Sequence, residues 1–148
     1  MATGKPLLKE SQKPRKIGLK GLKTKAWEAV SRYVRQRDKG ICVTCGKVDD
    51  WRQQQAGHYR HNSERNQLLG GNRLWYDLRN LNCQCPQCNK WKNGNLNVYA
   101  IFLERKYGHG ILEELDKLYR IPKKFSREEF LLLIKVMDEM TYKLNASL

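Results

Sequence analysis

The chain has 148 residues, the length of one ordinary domain. Its 29 Lys and Arg stand against 15 Asp and Glu, a formal charge of +14, and 40% of its residues are hydrophobic at a mean hydropathy of -0.77. These values allow one modest core and exclude a membrane-spanning segment, because no apolar run is long enough to cross a bilayer.

The charge excess is uneven. Residues 1–39 hold twelve Lys and Arg and three acids, residues 40–107 ten and five, and residues 108–148 seven and seven. The first two thirds therefore offer a face for a polyanion. The stretch 5–23 lacks the apolar face of an interfacial helix, so a membrane surface is not the expected partner. Nor does the N-terminus have the apolar segment of a signal peptide, and a cytoplasmic location is expected.

In chain order, residues 1–23 mix lysines with Gly4, Pro6, Pro14, Gly18 and Gly21 and read as a basic, mobile arm that follows phosphates. Thr24 is placed to cap a helix in which Trp27, Val30 and Val34 recur at helical spacing. Arg32, Arg35 and Arg37 would decorate its other faces, and Lys39-Gly40 would end it. Gln53 to Arg60 reads as a short strand, and Arg73-Leu74-Trp75-Tyr76 as a second. Together they predict a hairpin with a long loop over His58 to Tyr76. A helix is expected from Pro86 onward, either continuous to Tyr107 or broken at Gly94. Ile111 to Tyr119 is a short amphipathic helix that Pro122 ends. Ser126-Arg127-Glu128-Glu129 is a capping box, with Phe125 and Phe130 spaced as its hydrophobic staple. The helix that follows carries Phe130, Leu133, Ile134, Met137, Met140 and Leu144 along one side. That stripe could pack within the chain or against a second copy in a homodimer.

Cys42 and Cys45 form one Cys-x-x-Cys pair, and Cys85 and Cys88 another, with 39 residues between them. In a reducing compartment such pairs are metal ligands rather than disulfides, and four thiolates suit tetrahedral Zn²⁺. A four-thiolate zinc is coordinatively closed, so its role would be structural. Cys83 is spaced unlike a ligand and reads as a buried thiol. Zinc at these positions would bring the turn after Cys85 close to the strand that carries His58. Asn89, directly after the last cysteine, would then face that strand. A neutral imidazole beside Asn89 could take a proton from water while a divalent cation holds a phosphate oxygen. Asn80 stands where its amide could bond across the hairpin and orient it or the imidazole.

Several motifs in this arrangement carry a resemblance. They are Arg37-Asp38-x-Gly40-x-Cys42-x-x-Cys45-Gly46, Ala56-Gly57-His58-Tyr59, Asn80-x-x-x-Gln84-Cys85-x-x-Cys88-Asn89 and Lys92-x-Gly94-Asn95-Leu96 with Tyr99 and Lys106-Tyr107-Gly108. As a set over residues 26–108 they resemble the HNH nucleases of the ββα-metal (His-Me finger) class, and within it the phage lambda NinG/Rap recombination proteins. The resemblance implies an α+β, mainly helical fold: a basic arm (1–23), a zinc-stapled HNH-like core (24–108) and a C-terminal helical extension (109–148). It implies His58 as general base, Asn80 as orienting residue and Asn89 as ligand of a catalytic Mg²⁺ or Mn²⁺. Many such nucleases have an acid or a second histidine immediately before the base, where this chain has Gly57. The second ligand is therefore open among His58 itself, His61 and Asp77.

The implied activity is phosphodiester hydrolysis by a structure-selective endonuclease on branched DNA such as Holliday junctions. The alternatives are an HNH endonuclease acting on ordinary duplex DNA and a non-catalytic zinc module that binds nucleic acid. Phosphate contacts are expected from Lys16, Lys20, Lys23, Lys25, Arg60, Arg65, Arg73, Arg79, Lys90 and Lys92.

Overall fold

A computed structural model describes residues 15–61 and 71–148. Arg65 and residues 1–14 of the expected arm lie outside the described residues. Helix α1 (Leu19–Arg37) leads into a cysteine knuckle, then strands β1 (Gln55–His58) and β2 (Leu81–Gln84). A π-helical turn follows (Gln87–Trp91), then α2 (Leu96–Tyr107), α3 (Ile111–Tyr119) and α4 (Arg127–Ala146). The architecture is mixed α+β and mainly helical. No helix among the described residues is long and apolar enough to cross a membrane.

Helix α1 starts five residues earlier than Thr24, after Gly18 in extended conformation. The reason is tertiary: Leu22, Ala26, Ala29, Val30 and Val34 share one buried face and pack with Phe130 and Met137 of α4. Burial of Leu22 carries the helix through Gly21 despite its low propensity. Thr24 lies inside the helix, its hydroxyl donating to the Lys20 carbonyl at 3.2 Å. The helix ends where Lys39 (φ 54°) and Gly40 (φ 67°) turn left-handed. At Gly40 a β-carbon would lie 2.1 Å from the Asp49 carbonyl oxygen, so only glycine lets the knuckle close.

The two-stranded sheet corrects the expected hairpin. Strand β1 pairs antiparallel with β2, with Gln55 opposite Gln84 and His58 opposite Leu81. Arg73 to Tyr76 forms turns instead. Leu74 enters the core under α2 and α3, Trp75 covers His58, and Tyr76 meets Phe125 and Phe130 edge-on. The aromatic content that suggests a strand is thus used for packing around a turn. Both faces of β2 are buried, which leaves no alternation to read.

A two-stranded sheet has little stability of its own. Here Arg37 and Asp38, at the end of α1, clamp it. The Arg37 guanidinium donates to the carbonyls of Leu78 and Leu81 and to Asn82 Oδ1, while Asp38 accepts from the Cys83 amide at 2.7 Å. Arg37 therefore belongs to the frame and not to the solvated surface. From the other side, the buried Tyr99 hydroxyl of α2 donates to the Gly57 carbonyl at 2.8 Å and accepts from Asn82 Nδ2 at 3.0 Å.

After Pro86 the chain makes the π turn and stops. Asn93, Gly94 and Asn95 all have positive φ, and α2 begins anew at Leu96, so Gly94 marks a break. The capping box of α4 is present in both directions: Glu129 N donates to Ser126 Oγ, and Ser126 N donates to Glu129 Oε2. Phe125 and Phe130 pack 5.7 Å apart as its staple.

Candidate functional site

The sulfurs of Cys42, Cys45, Cys85 and Cys88 all lie within 4.8 Å of one another and could hold a metal such as zinc. Four thiolates about 2.3 Å from a tetrahedral Zn²⁺ would stand roughly 3.8 Å apart, and Cys45 and Cys85 are 3.7 Å apart. Local backbone bonds build the cage. The Gly46 amide returns to the Cys42 carbonyl at 2.8 Å, and the Cys88 amide points at Cys85 Sγ at 3.4 Å. Cys83 stands outside it as a buried thiol, pushed up to about 12 by burial and by Asp38.

Strand alternation divides the polar residues beside the cage. Ala56 and His58 turn toward α1, where Ala56 joins the α1–α4 core. Gln55 and Gly57 turn toward the π turn, and Asn89 Nδ2 donates to Gln55 Oε1 at 2.8 Å. His58 is 4% exposed, stacked between Trp27 at 5.1 Å and Trp75 at 3.8 Å. Its Nε2 is 3.0 Å from the Trp75 carbonyl and must be the N–H, which leaves Nδ1 as the acceptor of a neutral ring. Burial pushes its pKa down to about 3, partly opposed by that carbonyl. The His61 ring lies 5.9 Å away, and burial lowers its pKa as well.

Asn80 is fully buried and spans the hairpin. Its Oδ1 accepts from the Arg60 amide at 2.8 Å and its Nδ2 donates to the Arg60 carbonyl at 3.1 Å. It thus orients the chain just after β1 and makes no bond to the imidazole. Asn89 Oδ1 is buried and has no hydrogen-bond partner among the described residues, and neither has Gln84 Oε1. The Asp77 carboxylate is held by the Arg79 guanidinium. Asn89 and Gln55 line a groove of about 290 Å³ whose far side is Trp27, Ser31 and Arg35 of α1. A neighbouring groove of about 400 Å³ adds Arg32 and Trp51. The Arg35 and Arg52 guanidinium groups both lie over the Trp51 ring, at 5.2 and 4.5 Å.

The basic residues differ in availability. Lys16, Lys20, Lys23, Lys25, Arg73, Lys90 and Lys92 are exposed. Arg60 pairs with Asp116 at 2.9 Å, and Arg79 is held between Asp77 and Glu114, each at 2.8 Å, so both charges are partly neutralised inside the fold. Sequence reasoning gave no role to Gln84 or Thr44 and set Tyr99 only on an apolar helical stripe, where it is buried. Gln84 and Tyr99 stand in the resembling motifs, but only their contacts reveal what they do.

The fold and the thiol cage define a small, basic α+β protein able to hold a metal through four cysteines. The chain belongs to the NinG family: the family model described as Bacteriophage Lambda NinG protein matches residues 6–146. It is similar to Protein ninG of Salmonella phage P22, 34% identical over 105 residues, which are 70% of this chain and 46% of that protein. Protein ninG of Escherichia phage 933W is 34% identical over 112 residues, 73% of this chain and 52% of the relative. The protein of the same name from Escherichia phage lambda is 33% identical over 105 residues, covering 70% and 46%. The chain spans about half the length of these curated relatives. No solved structure matches it.

Proposed function

We propose that this protein is a metal-dependent, structure-selective DNA endonuclease of the HNH class that acts on branched recombination intermediates such as Holliday junctions. The reading rests on one arrangement around β1: a neutral His58 with Nδ1 free to accept on the α1 side of the strand, and Asn89, with a buried oxygen that lacks a donor, on the turn that bonds to Gln55 of the same strand. Both are held by the strand–strand–turn unit that the thiol cage closes, with Zn²⁺ as the cage's metal.

In this reading Nδ1 of His58 takes a proton from water as that oxygen attacks the phosphorus and the phosphodiester P–O bond breaks. The leaving oxygen takes its proton from solvent. A Mg²⁺ or Mn²⁺ bound at Asn89 would polarise the phosphate and stabilise the leaving oxygen. A base lowered to about 3 is always neutral but weak. A phosphodiester anion seated beside it would favour the imidazolium and strengthen it. The Asn80 bonds to Arg60 keep the end of β1 in place while the proton moves. Lys90 and Lys92, exposed beside Asn89, are suited to phosphates.

The burial of His58 between two indoles favours a second reading, in which the ring is a core stacking residue and the protein a non-catalytic metal-thiolate module that binds nucleic acid. Cleavage decides between them. With Mg²⁺ present, the zinc-loaded chain is expected to cut a four-way junction faster than a fork or a linear duplex. His58→Asn is expected to lower the rate by about 100-fold or more with junction binding retained. Equal cutting of all three substrates means an HNH nuclease for ordinary duplex. No cutting with either Mg²⁺ or Mn²⁺ leaves the binding module.

A further inference from the structure

We propose that the side-chain oxygen of Gln84 is a second protein donor to the divalent cation at Asn89, delivered into the space that Gly57 leaves open. The inference rests on the reading of Asn89 as a cation ligand and names its partner. Gln84 is fully buried on β2. Its Nε2 donates to the Gly94 carbonyl at 2.8 Å and meets Thr44 Oγ1 at 3.2 Å, so both N–H groups are used. Rotating the amide by half a turn would set its oxygen against the Gly94 carbonyl, so the orientation is determined by its partners. Oε1 is then left buried and without a donor, and Asn89, oriented by Gln55 alone among the described residues, turns its Oδ1 into the same space.

The two oxygens converge. A β-carbon built on Gly57 would lie 2.1 Å from Gln84 Oε1 and 3.0 Å from Asn89 Oδ1. Both oxygens therefore approach the same side of Gly57 and lie no more than about 5 Å apart, a separation that one cation between them could bridge. Gln84 fills the volume a side chain at position 57 would occupy. Glycine here is not needed for its φ but for this approach. Two buried carbonyl oxygens side by side are each stripped of hydration and repel one another, and a hard cation relieves both. Because both donors are neutral, the cation would keep its full charge for the phosphate, and binding without DNA should be modest. Thr44 stands between Cys42 and Cys45, and Gly94 follows the π turn. The thiol cage thus aims Gln84 through both of its anchors.

The test is Mn²⁺ binding to the zinc-loaded full chain, read by electron paramagnetic resonance, with zinc content and circular dichroism confirming the fold. Gln84→Leu and Asn89→Ala are each expected to weaken Mn²⁺ binding by about tenfold or more, the scale on which even supporting residues of metal sites act. Gly57→Ala should do the same by pushing Oε1 aside, and the near-isosteric Gln84→Glu should tighten binding. If Asn89→Ala weakens Mn²⁺ binding while Gln84→Leu and Gln84→Glu leave it unchanged, Gln84 has no part in the site and Asn89 keeps its own. If the chain binds no Mn²⁺, or binds it equally well without the Asn89 amide, both assignments fall.

Discussion

His58 shows how one residue's surroundings set its chemistry. Two indoles cover the faces of the ring and the Trp75 carbonyl accepts a hydrogen bond from its Nε2–H, so the tautomer and the charge state follow from packing. The folded ring holds a proton only below about 3, against 6.5 for an ordinary histidine. As pH falls the unfolded chain therefore takes up the proton first. The neutral ring costs nothing above 6.5, and stability is lost between 6.5 and 3 at up to about 1.4 kcal/mol per pH unit. Urea unfolding across that acid limb should be steeper in pH for the natural chain than for His58→Gln. Equal slopes would mean that the ring is solvated in the folded state. Taking the difference between the two proteins removes the contribution of the cysteine thiolates, which is common to both.

At the scale of elements, local signals and tertiary demands divide the chain. Helix α4 is written locally: a capping box, a staple and an apolar stripe agree, and the structure forms all three. Ser126→Ala removes the acceptor for the Glu129 amide and should cost about 1 kcal/mol, seen as a lower urea midpoint with an unchanged slope. A loss well below that would mean that the Phe125–Phe130 contact alone holds the helix start. Strand β2 is the opposite case. Leu81-Asn82-Cys83-Gln84 has two polar residues, both fully buried, and each is explained by a partner distant in sequence: Asn82 by Arg37 and Tyr99, Gln84 by Thr44 and Gly94. No periodicity announces such a strand. Arg73 to Tyr76 has the composition of a strand but turns, because Trp75 and Tyr76 have ring partners to reach on either side.

For the whole molecule, the thiol cage ties the knuckle after α1 to the turn before α2, next to a sheet with few apolar contacts of its own. Metal affinity at such a site is folding free energy. Stripping the metal with a chelator, or Cys88→Ser, should lower the thermal midpoint and release the Asn89 turn, with one zinc per chain in the loaded protein by elemental analysis. A fully stripped chain that melts at the same temperature would show that α1 and α4 alone hold the fold. That second support is real, since the α1–α4 core is separate from the cage.

The four cage cysteines, the basic first two thirds and the last two helices were all legible from the residues. Each is signalled by spacing or composition over a short window, where local chemistry leaves few choices. The early start of α1, the pairing of β1 with β2, the neutral state of His58 and the meeting of Gln84 with Asn89 beside Gly57 were not. They depend on which distant groups exclude water and which satisfy a buried donor or acceptor. Only the closed tertiary structure decides that, because hydrogen-bond partners and solvent exclusion are properties of the packed chain rather than of any segment.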